Sequence, residues 1–423
     1  MGEGCTTETQ FVVQCLRAGI HDSSLETTDF ESVDWDGVLD GATRHTVSPL
    51  VYEALQDVTD QAESALETGP GCKTGQTTET TMEAPQVPTE VLETFRERSQ
   101  FVARRNLRLL GAVANLSSTL QSEGIRAIPY RGPVIASHLY GDVGCREFRD
   151  VDVLVAREDI PAIKSILEGL GFEPVYLDDS VTELTPTQEW AYRRVEREYT
   201  FYRERDDLEV ELHWRVLSRH FPTEFDLECL WDRRSTTTVA GTEVPVFSPE
   251  DRLLACCIHG SRHRWERLHW SYDVAVALEN QPVDWDAILE RAQRHDCRRL
   301  FLLGLAVTDW LYDVSVPDRV RRQIATDQTL EGLLAAVEDR LFTDRPYREF
   351  EERRFQARTL DRTRDRVAFW ANWLFKPNRS DVEAIALPRP LAPLYGVVRP
   401  VRIATGALCN GVRTSDHPQA EGR

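Results

Sequence analysis

The spacing of polar and apolar residues changes several times along this chain, and each change predicts an element. From Thr89 onward, Val91, Leu92, Phe95, Phe101, Val102, Leu107, Leu109, Leu110, Val113, Leu116 and Leu120 recur every third or fourth position, and Glu123-Gly124 closes the run. That period predicts a long amphipathic helix with a glycine stop. Ile125 to Tyr130 is apolar and reads as a strand, and Arg131-Gly132-Pro133 reads as a turn into a helix that continues to Tyr140. Proline suits the first helical position. The period then drops to two at Asp150-Val-Asp152-Val-Leu-Val155. In a strand this puts Asp150 and Asp152 on one face and Val151, Val153 and Val155 on the other, toward a core. Residues 157–170 predict a helix stopped by Gly171, 173–177 a short strand and 185–197 a polar helix. Residues 199–202 and 208–216 predict a hairpin turning at 204–207, with Glu209, Glu211 and His213 sharing one face of its second strand.

Upstream, residues 9–20 read as a short helix. Val33-Asp34-Trp35-Asp36 and Val283-Asp284-Trp285-Asp286 are near copies, each an aspartate cap opening a helix that ends at Arg-His. Two copies make a local motif used twice, not a solenoid. Thr59 to Pro88 is rich in Thr, Glu, Gly and Pro and predicts a flexible insertion. Downstream, 236–247 predicts a hairpin around Ala240-Gly241, and helices follow at 249–260, 264–280, 284–295, 298–313, 317–327, 329–342 and 357–375. The charged stretch 345–366 reads as a solvated helix face. Pro388, Pro390, Pro393 and Pro400 break the end into short pieces that Trp370, Trp373, Leu374 and Phe375 dock on the helical region. The expected class is α+β: an N-terminal helical segment (1–58), a flexible insertion (59–88), a small mixed-sheet core (89–220), a hairpin plus a larger C-terminal helical domain (221–410) and a loose tail (411–423).

At 423 residues the chain is long enough for two domains. It has no run of 18 apolar residues, so no transmembrane helix is expected. Its first residues show no basic-then-apolar leader. The nine cysteines are scattered without a C-x-x-C pair, which argues against a zinc module and fits a reducing cytoplasm. The net charge is −20, and only Lys73, Lys164 and Lys376 among 50 basic residues are lysine. An acidic, arginine-for-lysine composition resembles halophile proteomes, haloarchaeal ones above all; a GC-rich genome is the plainer alternative. Either way the field disfavours long nucleic acid and anionic membrane as partners.

The candidate chemistry gathers around Asp150 and Asp152. Two carboxylates that close repel unless a cation neutralises them. Mg²⁺ (or Mn²⁺) suits such oxygen ligands. The glycine turn after Arg131 lets backbone approach a ligand and opens a helix whose N-terminus favours anions, a phosphate site facing a metal site. An acid from the Glu209/Glu211 face could close the metal site.

Arg131-Gly132, then Arg146 with Asp150-Val-Asp152-Val-Leu-Val155, then Glu211-Leu-His213-Trp214, resembles the uncharacterised nucleotidyltransferase family of the polymerase-beta-type superfamily. Ser248-Pro-Glu-Asp251, His259-Gly, His263-Arg-Trp265 and Leu268-His-Trp270-Ser-Tyr-Asp273 are similar to its helical region. The resemblance implies a minimal nucleotidyltransferase core and transfer of a nucleoside monophosphate from a nucleoside triphosphate to an acceptor hydroxyl. Asp150, Asp152 and Glu211 would hold Mg²⁺, and Arg131, Gly132 and Arg146 would hold phosphate. Three positions depart from the pattern: Arg131 for Lys, Glu211 for Asp, and Pro133 where the superfamily places Ser. Plainer roles stand beside these. Arg131 and Arg146 could pair with acids such as Asp142 or Asp150, Glu209 could replace Glu211, and Cys145 is a small filler. His213, His259, His263 and His269 read as structural or substrate-contacting, and Trp214, Trp265 and Trp270 as core.

Overall fold

The computed structural model describes residues 7–23, 25, 30–67, 87–176, 183–217, 219–221, 224–343, 348–385 and 387–410. Three helices open the chain: α1 (Thr7–His21), α2 (Trp35–Arg44) and α3 (Ser48–Glu67). Asp34 caps α2 by accepting from the Gly37 amide, as its place before Trp35 predicts. Residues 59–67, expected to begin a flexible insertion, continue α3 instead. Leu50, Val51, Ala54 and Leu55 bury one face of that helix, and each further residue adds a hydrogen bond once the nucleus exists. The rest of the expected insertion, 68–86, and the expected tail, 411–423, lie outside the described residues.

The long helix α4 (Thr89–Ser122) begins and ends as the period predicts, with Gly124 at φ 71° after its last turn. Its buried stripe differs in detail. Phe101 and Leu107 face solvent, while Asn106 is fully buried. The next elements are β1 (Ala127–Pro129), a short α5 (Pro133–Ile135) running into a wider turn over Ala136–Tyr140, and β2 (Asp150–Val155). Then come α6 (Ile160–Gly169), β3 (Glu173–Pro174), α7 (Pro186–Val195), β4 (Glu198–Arg203) and β5 (Leu208–His213). A capping box between Thr185 and Gln188 starts α7.

Among the described residues these strands form a five-stranded mixed sheet in the order β1-β2-β5-β4-β3. Only the central β2–β5 pair is parallel. Val151, Val153 and Val155 are buried on one face of β2, in a core shared with α4 and α6.

A short α8 (Leu227–Asp232) leads to a hairpin of β6 (Ser235–Val239) and β7 (Thr242–Val246). Val239, Val244 and Val246 of the hairpin join the sheet's core rather than the helical one. Helices follow: α9 (Pro249–Arg262), α10 (Leu268–Asn280), α11 (Trp285–Arg294), α12 (Arg298–Tyr312), α13 (Asp318–Thr326) and α14 (Gln328–Phe342). The expected helix at 264–280 starts late because Arg264 and Trp265 take positive φ, which turns the Trp265 ring into the core.

The expected helix at 357–375 is two helices, α15 (Glu349–Arg358) and α16 (Thr363–Phe375). Between them Asp361 accepts from the Arg298 and Arg299 amides at the start of α12. A carboxylate there satisfies orphan donors and opposes the positive end of the dipole. Nor is this stretch a solvated face, since Glu352, Phe355, Gln356 and Leu360 are buried. The last helices, α17 (Arg379–Ala384) and α18 (Tyr395–Asn410), send Val382 and Tyr395 into the sheet's core. α17 lies against α7: Gln188 donates to the Val382 and Glu383 carbonyls. α17 and the start of α18 therefore return to the sheet and do not rest on the helical region alone.

Candidate active site

β2 and β5 lie side by side with Asp150 opposite Glu209 and Asp152 opposite Glu211. The pleat therefore brings four carboxyl-bearing positions to one face. This face looks into a cleft of about 200 Å³ between the sheet and the helices. Thr46, Cys256, His259, Arg267, His269 and Trp270 line the helical side; Arg131, Gly132, Arg146, Asp150 and Asp152 line the other.

Three side chains converge. Asp152, Glu211 and His213 each aim a ligand atom at one spot, all within 4.8 Å of one another. His213 Nε2 lies 2.7 Å from Asp152 Oδ1 and 3.0 Å from Glu211 Oε2. Behind the ring, Glu198 Oε2 is 3.2 Å from Nδ1. Asp150 does not join this group; it lines the cleft beside it.

Arg131 is drawn onto the same spot. Its Nη2 donates to Asp152 Oδ1 and stands 3.4 Å from His213 Nε2 and 4.0 Å from Glu211 Oε2, while Nη1 donates to His259 Nδ1. The acid it pairs with is thus Asp152, not Asp142 or Asp150. Arg146 is held apart from the carboxylate pair. Its Nε is 2.8 Å from Asp273, its guanidinium lies 4.1 Å over the Phe148 ring, and Tyr140 also donates to Asp273, at 2.7 Å.

The charges follow from this packing. Burial opposes ionisation of Asp152, but Arg131 and the His213 hydrogen bond overcome it and hold the carboxyl below its ordinary range. Asp150 is pushed well above that range by burial and by the Asp152 and Glu211 charges. Burial and the Glu211 charge raise Glu209 to about 7. For His213, burial is outweighed by the bonds to Asp152 and Glu211 and by the Glu198 charge, so its pKa rises. His259, His263 and His269 go the other way, lowered by burial and nearby arginines.

The backbone beneath the site is tightly fitted. Gly132 sits at φ 76° and ψ −155°, a region that only glycine enters readily. A Cβ there would stand 2.8 Å from the Asp150 carbonyl oxygen. Asn106, from α4, donates to the Val143 carbonyl at 2.5 Å and to the Arg146 carbonyl at 2.6 Å, fixing the loop that leads into β2. Arg98 grips Glu147 with bonds of 3.0 and 2.8 Å to its two oxygens. Sequence spacing gave no sign of Asn106 or Glu198. His213 is visible on the Glu211 face, but in the sequence it reads as structural or substrate-contacting.

The model of a family described as uncharacterised nucleotidyltransferase matches residues 31–313. No curated protein matches the chain. Among solved structures, an antigenic nucleotidyltransferase-like protein from Paracoccidioides brasiliensis is 17% identical over 54% of this chain and 92% of that one, with a TM-score of 0.31. With two thirds of its length matched by that family, the chain belongs to the uncharacterised nucleotidyltransferases.

Proposed function

We propose that the protein moves a nucleoside monophosphate from a nucleoside triphosphate to an acceptor hydroxyl and releases pyrophosphate. The observation that carries this is the pairing of Asp152 with Glu211 across β2 and β5, at the mouth of a cleft lined with arginine. The carboxylates present fit a divalent ion: Asp152 and Glu211 converge on one spot, and Mg²⁺ or Mn²⁺ accepts such oxygen ligands. When bound, the ion supplies positive charge to the phosphoryl oxygens and the leaving group. Asp152 and Glu211 hold it in this reading, with Asp150, in the cleft lining beside them, as the third carboxylate. Arg146 and the backbone at Gly132 receive the phosphates, and Arg131 joins them when it leaves Asp152. The 89–220 stretch acts as the catalytic module, and the helical side of the cleft selects the acceptor.

A protein side chain, an RNA end or a small metabolite could each serve as acceptor. The −20 charge favours the first and third over long RNA. The acidic, lysine-poor composition supports a halophile's cytoplasm as the working place. One observation favours a second reading. Arg131 already neutralises Asp152, as a nucleotide-binding protein without transferase activity would tolerate.

The test is label transfer in high potassium chloride, with each α-labelled nucleoside triphosphate, Mg²⁺ or Mn²⁺ and cell lysate. Label on an acceptor, absent in Asp150→Asn and Asp152→Asn, is the expected result. Nucleotide binding without label or pyrophosphate would favour the second reading. Growth arrest on expression, lost in Asp150→Asn, would mark a toxin-like transferase.

A further inference from the structure

His213 Nε2 faces two oxygen acceptors, Asp152 Oδ1 and Glu211 Oε2, at 2.7 and 3.0 Å. Without an ion, the Nε2 proton bridges these oxygens; once a cation displaces that proton, the same three atoms present lone pairs to one point. The side chain is fully buried. Glu198 stands on the far side of the ring, 3.2 Å from Nδ1. The two atoms lie at ion-pair distance without a hydrogen bond; a carboxylate so placed orients an imidazole toward a metal once Nδ1–H turns onto it.

The spot already attracts a cation. Arg131 Nη2 lies among the same three donors, bonded to Asp152, 3.4 Å from His213 and 4.0 Å from Glu211. It is a poor occupant. A planar guanidinium cannot present one charge symmetrically to three converging ligands, and its buried Nε has no hydrogen-bond partner.

We propose that Asp152, Glu211 and His213 form a mixed oxygen–nitrogen site for a first-row transition ion such as Mn²⁺ or Co²⁺, with Glu198 orienting His213 and Arg131 as the exchangeable counter-ion. The transferase reading supplies only the metal role of Asp152 and Glu211; His213, Glu198 and the choice of ion are new. Imidazole nitrogen favours such ions over Mg²⁺, which prefers an all-oxygen shell and keeps its water. An arriving ion takes the three donors and releases Arg131 into the cleft. There its fork can meet an anionic group, which couples metal loading to phosphate binding.

The test uses the full chain without nucleotide, in high potassium chloride. Pulsed electron paramagnetic resonance of the Mn²⁺-loaded wild type should show coupling to an imidazole nitrogen. Calorimetry should show Mn²⁺ and Co²⁺ binding about tenfold or more tighter than Mg²⁺. His213→Gln should abolish the coupling and the preference while Mg²⁺ binding persists. Glu198→Gln should weaken Mn²⁺ binding by about 10- to 100-fold, and Arg131→Gln should tighten it. Absent coupling in the wild type overturns the proposal, whether or not the variants fold. So does a Co²⁺ preference that survives His213→Gln. Mg²⁺-supported label transfer without imidazole coupling would sink this inference and leave the transferase reading standing. Coupling with no transfer from any nucleotide would do the reverse.

Discussion

Replacing Gly132 with alanine probes the geometry of the site without touching any charge. Its φ of 76° and ψ of −155° lie where a residue with a side chain is strained by about 1–3 kcal/mol. The added Cβ would also stand 2.8 Å from the Asp150 carbonyl oxygen. That oxygen belongs to the first residue of β2, which is paired with Glu209 of β5, so it cannot retreat without disturbing that pairing. Strain and clash together should cost about 2–4 kcal/mol, a large part of a typical 5–15 kcal/mol. Gly111 provides the control. It is exposed on α4, nothing lies within 4 Å of its missing Cβ, and alanine there should stabilise by about 1 kcal/mol. Urea unfolding followed by tryptophan fluorescence, in high potassium chloride, measures both variants. Gly132→Ala should also lower label transfer more than tenfold under conditions where it remains folded, because Asp150 moves with its backbone. A loss below about 0.5 kcal/mol with transfer intact would refute the claim that this turn is fitted against β2.

Other changes test the surroundings. Asp251 is buried at the start of α9, gripped by Arg233 through bonds of 2.9 and 3.1 Å and approached by Arg291 at 3.2 Å. Asp251→Ala should cost about 3–5 kcal/mol in urea unfolding, since it strands partly buried positive charge. Asn106→Ala should cost about 1–3 kcal/mol by leaving the Val143 and Arg146 carbonyls without their donor, and calorimetric melting checks it. Glu352 carries a buried oxygen without a hydrogen-bond partner, and burial raises its carboxyl to about 7. The folded state therefore holds a proton that the unfolded chain releases near 4.5, so stability falls as pH rises between those values. Glu352→Gln should match wild type below pH 4.5 and exceed it by about 1–3 kcal/mol at pH 8. An equal difference at both pH values would rule out this origin.

Much of the architecture was legible because local rules and tertiary packing agree. The period-two run at Asp150 to Val155, the glycine stop after α4 and the aspartate caps of α2 and α11 each state their element directly. Elsewhere tertiary packing overrode the local signal. The charges of 345–366 suggest solvent, yet Glu352 and Gln356 are buried and Asp361 is spent capping a distant helix. No period reveals that β2 pairs in parallel with β5, and that register alone sets Asp152 beside Glu211. The partners of Arg131, Arg146 and Asn106 come from segments far away in sequence, so spacing could propose the residues but not their contacts.

The first helix has a consequence for synthesis. Arg17 donates from Nε and Nη2 to the Leu311 carbonyl, 294 positions later, and His21 meets the Tyr312 carbonyl at 2.7 Å. Phe11, Val12, Cys15 and Leu16 lie in one core with α12. A ribosome adding about 5–20 residues per second leaves that apolar face without its partner for about 15–60 s. The helical half of the protein therefore closes only after α12 has been made. Until then, the face of α1 that meets α12 must be sheltered by α2 and α3, which also pack on it, or by a chaperone.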